Sequence, residues 1–245
     1  MVRPGSHGST SGVRRSGRLA GVGPPAMTPR PTIILASASP ARRALLRAAG
    51  VSVEVRVSDV DEDAVEKTLG SVSPAALALA LAEAKARDVA AQVDPASVLG
   101  PTLVVGADTI LDLDGVALGR PHDDADAIRR WHEMRGRAGI LLTGHAVIRL
   151  DTDTTASAVG STVVRFGTPT DAEVVAYVGT GEPTSVAGAF TIDGFGGPFI
   201  DGIEGDPANV AGLSLPILRR LFAELGVEWT SLWPNDDADR PSRWP

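Results

Sequence analysis

Residues 33–50 read IILASASPARRALLRAAG, a short apolar run that breaks into small residues and then into a helix whose first turn holds two arginines. An apolar run followed by a Ser-rich turn marks a strand entering a helix, with Ser39 as N-cap, Pro40 at the first helical position and Gly50 as the stop. Two cations in that turn need a reason. The amino end of a helix exposes unpaired N–H groups and carries the positive end of the macrodipole, so Arg42 and Arg43 each cost up to about 1 kcal/mol unless an anion offsets them. Either both arginines point into water behind an ordinary cap, or Ser39, Arg42 and the backbone donors converge on one phosphate.

Outward from this stretch, strand-like and helix-like segments alternate without an internal repeat, which predicts an α/β fold. A strand is expected over 51–57. Ser73 and Pro74 then open a long helix, SPAALALALAEAKARDVAAQV. TLVVGADTILDLDGVAL reads as a strand, an Asp114-Gly115 hairpin turn and the start of a second strand. Residues 123–135 are expected to be helical and 139–150 and 157–166 to be strands. Thr170 and Glu173 have capping-box spacing before a short helix that reaches Tyr177. A glycine-rich region, AGAFTIDGFGGPFIDGIEGD, leads to a last helix near 214–225. The sheet should be central and mixed, with helices flanking it and hairpins among the crossovers.

One domain is expected over 27–233. Residues 1–26 contain no Asp or Glu and no apolar periodicity, and 234–245 are polar, so both read as disordered extensions. Arg14 and Arg15 are not followed by the apolar core of an export signal, and Met27, directly before the patterned region, is an alternative start. The formal charge of -7 argues against broad attachment to nucleic acid or to an anionic membrane. With no cysteine the chain has no disulfide, thiolate metal site or cysteine nucleophile, which fits a cytoplasmic protein. Its longest strongly apolar stretch, ALALALA, is far short of the roughly 20 residues of a spanning helix.

Asp108 lies inside the strand LVVGADTILDL, where an unpaired buried carboxylate is costly, so it needs a partner. Strand parity puts Val105, Ala107, Thr109 and Leu111 on one face and Asp108 with Val104, Ile110 and Asp112 on the other. The residues leave two readings: an edge-strand position with one wet face, or a magnesium ligand or general base. The run SDVDEDAV reads as a solvated acidic loop, although one of Asp59, Asp61, Glu62 and Asp63 could complete a metal site with Asp108. Only Lys67 and Lys85 are lysines among 23 basic residues, so Lys85 is either a plain helix-surface lysine or an ammonium kept for a purpose. The histidines at 7, 122, 132 and 145 show no ligand spacing, and His132 is expected to pack against or flank the core. No Walker loop, dinucleotide fingerprint, HExxH or nucleophile elbow is present.

Taken together, LASASPARRALLRAAG, VDEDAV, LALAEAKA, GADTILDLDGVALGRP, YVGTGEP, AGAFTIDGFGGPFI and GDPANVAGLSL, in that order, resemble the Maf nucleoside triphosphate pyrophosphatases over nearly all of 32–226. The resemblance implies an elongated α/β fold of the Maf and inosine triphosphatase kind, frequent homodimers, and hydrolysis of a nucleoside triphosphate to the monophosphate and pyrophosphate. Carried over, Ser39 and Arg42 match the family's phosphate-binding serine and second arginine, Glu62 its metal-associated glutamate, Lys85 its helix lysine and Asp108 its catalytic base. A divalent Mg²⁺ or Mn²⁺ on Glu62 and Asp108 follows, with Arg120 as a third phosphate cation. Arg120 replaces the usual lysine of its turn. Ala41 stands where pyrimidine-preferring members have an arginine and methylguanosine-preferring members a tryptophan; Asp193 replaces a glutamine or glutamate; Thr109 agrees with the pyrimidine group. The family's link to septum formation leaves a second reading, a nucleotide-binding regulator of cell division with little turnover.

Overall fold

The computed structural model describes residues 30–234; the expected extensions over 1–26 and 234–245 lie outside the described residues, apart from Pro234. β1 (Thr32–Leu35) runs into α1 (Pro40–Ala48) as its sequence predicts, the Ser39 hydroxyl accepting from Arg42 N at 3.4 Å and Pro40 occupying the first turn. Around β1 the described residues build a seven-stranded sheet with β2 (Glu54–Val55), β3 (Thr102–Leu113), β4 (Val116–Leu118), β5 (Ala138–Arg149), β6 (Thr154–Phe166) and β7 (Ile200–Glu204). The order is β2-β1-β3-β5-β6-β7, with β4 also paired to β3. β1 is parallel to β2 and β3, and every other pair is antiparallel, so the sheet is mixed as expected.

Parity along β3 sorts the helices into layers. Val104 shares its face with α3 (Pro74–Ala91), whose Ala82, Ala86 and Val89 pack on it together with Ala146 and Ile148 of β5. Contact there is close because the sheet offers glycine: a Cβ at Gly106 would clash with the Ala82 carbonyl oxygen, and one at Gly144 with that of Ala78. Odd positions face the other layer. Val105 and Ala107 meet α1 and α7 (Leu215–Glu224) through Leu46, Leu218 and Phe222, whereas Leu111 meets α4 (Asp124–Met134) and α5 (Asp171–Val178) around Trp131 and Tyr177. Between these two apolar clusters lies a buried polar belt. Thr109 and Thr143 face each other across β3 and β5 at 3.2 Å, and Asn209 of α6 (Pro207–Val210) donates to Thr162 Oγ1 and to Leu141 O.

Three expectations need correction. The strand at 51–57 shrinks to Glu54 and Val55, because its partner β1 ends at Leu35 to turn into α1 and offers no further ladder. The acidic run SDVDEDAV is a helix start: Asp61 caps α2 (Glu62–Leu69) by accepting from Ala64 N at 3.0 Å, and Glu62 and Asp63 sit in the first turn where the dipole favours anions. Asp108 lies on a stretch of β3 that neither β1 nor β4 reaches, but its face is not wet: Lys85 of α3 covers the side chain and Asp108 is only 8% exposed. In addition, β7 emerges from the glycine-rich region, pairing with β6 across a bulge at Arg165 and Phe166. The capping box of Thr170 and Glu173 forms as read, while His132 is exposed beside Asp171 rather than held on the core. Among the described residues no helix is long and apolar enough to cross a membrane.

His145 sits at the end of the polar belt, fully buried, its Nε2 accepting from Ser214 N at 2.8 Å. Burial, with the nearby Arg42 charge, lowers its pKa from 6.5 to about 4. Below pH 6.5 the unfolded chain therefore takes up a proton that the folded chain refuses until about pH 4. The stabilisation is complete above 6.5 and is lost as pH falls to about 4, by roughly 3 kcal/mol in all. Urea unfolding at a series of pH values should show this slope in the wild type, and His145→Gln should flatten it between those limits.

Candidate active site

The site follows from how β3 is paired. β1 covers its edge over 102–105 and β4 over 111–113, so no strand covers positions 106–110 on that side. This notch lets side chains from both faces of β3 reach one cleft, of about 550 Å³, lined by Asp108 from the α3 face and Thr109 from the other. A cleft of that size suits a nucleotide-scale ligand. Ser39, Ala41 and Arg42 bring the start of α1 to one wall, Glu62 the start of α2, Arg120 the turn after β4, and Asp193 the glycine-rich loop. The structure thus gathers eight of the nine sequence-predicted residues along the wall, and the ninth, Lys85, reaches Asp108 from behind.

Arg42 answers why a cation stands in the first turn of α1. Its guanidinium is buried, with Nε donating to Gly212 O at 2.8 Å, Nη1 to Ser37 Oγ at 3.0 Å and Nη2 to Thr109 Oγ1 at 3.1 Å. A guanidinium has five N–H donors, so this arrangement fixes the fork and leaves two free for the cleft. Burial pushes the Arg42 pKa down while Asp108 holds it up. Arg43 is exposed. Ser37 Oγ also accepts from Ser39 N at 3.2 Å, which ties the turn before the helix to the same guanidinium.

The second cluster is acidic. Lys85 Nζ stands 2.6 Å from Asp108 Oδ1 and 2.6 Å from Glu62 Oε1, so one ammonium from the middle of α3 gathers two carboxylates that lie 46 residues apart in sequence. Asp108 and Lys85 are nearly buried and Glu62 is half open to the cleft. Burial raises the Asp108 pKa above the ordinary carboxylate value, against the pull of Lys85 and Arg42. A carboxyl shifted towards neutrality and facing a cleft is suited to accept a proton.

Some residues here were missed by sequence reasoning. Arg130 is 6% exposed and donates to Gly119 O at 2.7 Å and to Arg120 O at 3.3 Å while paired with Asp126 at 2.7 Å; it anchors the turn that presents Arg120. Its place in the pattern of α4 gives no sign of this, since Ile128 and Trp131 account for the apolar stripe. Gly212 contributes only a carbonyl, and its φ of 101° turns that segment beneath Arg42. The Thr109 hydroxyl is engaged with Arg42 and Thr143.

A central mixed sheet, a cleft at its interrupted edge, a fixed guanidinium and a carboxylate pair on one ammonium define an α/β protein whose cleft presents both cationic and acidic groups. The family model described as "Maf-like protein" matches residues 32–225, and the chain belongs to that family. It is 57% identical over 214 residues to the "Nucleoside triphosphate pyrophosphatase" of Streptomyces coelicolor, across 86% of this chain and all of the relative. Proteins of the same name from Streptomyces avermitilis and Salinispora tropica are 56% and 50% identical, covering 84% and 86% of this chain and 96% and 91% of their own lengths.

Proposed function

We propose that this chain hydrolyses nucleoside triphosphates to the monophosphate and pyrophosphate in the cleft at the β3 notch. The observation that carries the reading is Lys85 held between Asp108 and Glu62, next to the locked Arg42. The printed names of the relatives support it. In this reading Asp108 takes the proton of a water whose oxygen attacks a phosphorus of the anhydride, and the P–O bond to the leaving group breaks. Arg42, Lys85 and Arg120 take up the charge that develops on the phosphates, while Ser39 and the amino end of α1 fix their position. The second reading, a binding protein without turnover, leaves the buried Asp108–Lys85 pair without a use.

Glu62 and Asp108 fit a divalent ion. Their carboxylates meet around one ammonium, and no third His, Asp or Glu joins them among the described residues. That donor set suits Mg²⁺ or Mn²⁺, which retain waters and take further oxygens from substrate phosphates. When bound, such an ion neutralises phosphate charge and lowers the pKa of the attacking water. We further propose a cytoplasmic homodimer, on the resemblance and the cysteine-free composition; light scattering at micromolar concentration tests the assembly. A role in septum formation rests on the resemblance alone.

Pyrophosphate release from a panel of nucleoside triphosphates, with Mg²⁺, Mn²⁺ or EDTA, tests the function. The expected result is metal-dependent release from at least one nucleotide. No release from any would contradict it.

Asp193 stands exposed at the mouth of the cleft. An ionised carboxylate only accepts, so it favours a base edge with two donors, as guanine has, whereas uracil and thymine offer one donor between two acceptors. The half-buried Ala41 leaves room for a larger base. Asp193→Gln should therefore shift the ratio of kcat/KM towards UTP and dTTP over GTP by about tenfold, the size of one altered polar contact. An unchanged ratio would mean that Asp193 does not read the base.

A further inference from the structure

One carboxylate outside the cleft is more heavily engaged than any group within it. Glu182, just after α5, accepts from Tyr177 Oη at 3.0 Å, Thr191 Oγ1 at 2.5 Å, Phe195 N at 3.0 Å and Gly196 N at 3.1 Å. Tyr177 Oη in turn accepts from Thr191 N at 3.2 Å. All but one of these donors lie in a single segment, 191–196, whose Thr191, Ile192 and Asp193 line the cleft, whereas Glu182 does not. The segment has no strand or helix of its own to hold it, so its shape depends on this carboxylate.

Packing around Glu182 is correspondingly tight. A Cβ at Gly194 would clash with Glu182 Oε2, and one at Gly196 with Tyr177 Oη, so the loop must be bare backbone where it wraps the carboxylate. Tyr177 is itself fixed edge-on against Trp131, with ring centroids 5.6 Å apart. Burial pushes Glu182 up, but the donors from Thr191, Phe195, Tyr177 and Gly196 outweigh it and keep the carboxylate below its ordinary value. The anchor thus stays ionised and accepts from all of them at neutral pH.

We propose that Glu182, braced by Tyr177, is the positioning residue that sets the base-reading loop over the cleft, and so governs nucleotide affinity and base discrimination without touching the substrate. This rests on the functional reading above. In that reading the phosphate groups are held from α1, α3 and the turn after β4, none of which Glu182 contacts, so the effect of losing it should fall on binding rather than on the chemical step.

Glu182→Gln places an amide N–H₂ among four donors and leaves one acceptor oxygen where there were two. Kinetics of wild type, Glu182→Gln and Tyr177→Phe on UTP, dTTP and GTP test the proposal. Glu182→Gln is expected to raise KM about tenfold with kcat within threefold, and to change the ratio of kcat/KM between GTP and UTP at least threefold. Tyr177→Phe keeps the ring packing and should change both in the same direction by less; should the Gln variant fail to fold, this variant alone decides. An active wild type whose KM and base ratio are unmoved by either substitution overturns the proposal, as does a fall in kcat with KM unchanged. A wild type that cleaves no nucleotide overturns the functional reading and this proposal with it.

Discussion

Asp108→Asn is expected to lower kcat by a factor on the order of 10²–10⁴ while the nucleotide still binds within several-fold of wild type. The amide is close in shape and keeps an oxygen for Lys85, which now stands 2.6 Å from Oδ1, so the fold should survive. What disappears is the group that can take a proton at the notch. The carboxylate is also one of the two that meet at Lys85 among the described residues, and an amide is a poorer ligand for a hard cation. Turnover followed by pyrophosphate release, with binding followed by calorimetry, separates the effects. A variant that turns over near the wild-type rate would remove Asp108 from the chemistry.

Arg42→Lys should be nearly as damaging, and for a different reason. The guanidinium satisfies Gly212 O, Ser37 Oγ and Thr109 Oγ1 at once and still presents donors to the cleft. A lysine keeps the charge, but its three donors radiate from one atom and cannot span those acceptors. Buried acceptors left unpaired cost about 1–3 kcal/mol, which for a chain of this size is a melting-temperature loss of roughly 5 °C. With the phosphate contact misplaced as well, kcat/KM should fall by about 10²–10³. Scanning calorimetry and steady-state kinetics on the same preparation check both. Unchanged stability would mean that Arg42 is not the tie between α1 and Gly212.

The parts of this arrangement that were legible in the sequence are local ones. Ser39 and Pro40 announced a strand-to-helix entry, parity put Asp108 and Thr109 on opposite faces of β3, and Thr170 with Glu173 marked α5. Each rests on contacts within a turn or a strand. What remained hidden depends on pairing over long separations. Arg42 finds Gly212 O 170 residues away, and Lys85 finds Asp108 23 residues away. The notch exists only because β1 is too short and β4 too far along β3 to meet, which no single segment records. The acidic run at α2 reads as a loop by its charge and as a helix start by its position: Asp61 is at the cap and Glu62 and Asp63 are in the first turn. Glu182 escaped notice because a lone Gly-Glu-Pro carries no chemistry until the loop it anchors is folded around it.

The most direct test is the product of the reaction. Phosphorus NMR of a nucleoside triphosphate incubated with the wild type and a divalent cation should show monophosphate and pyrophosphate appearing in equal amounts, and the Asp108→Asn protein should produce neither over the same interval. Diphosphate and inorganic phosphate as products, or equal rates from the two proteins, would contradict the account.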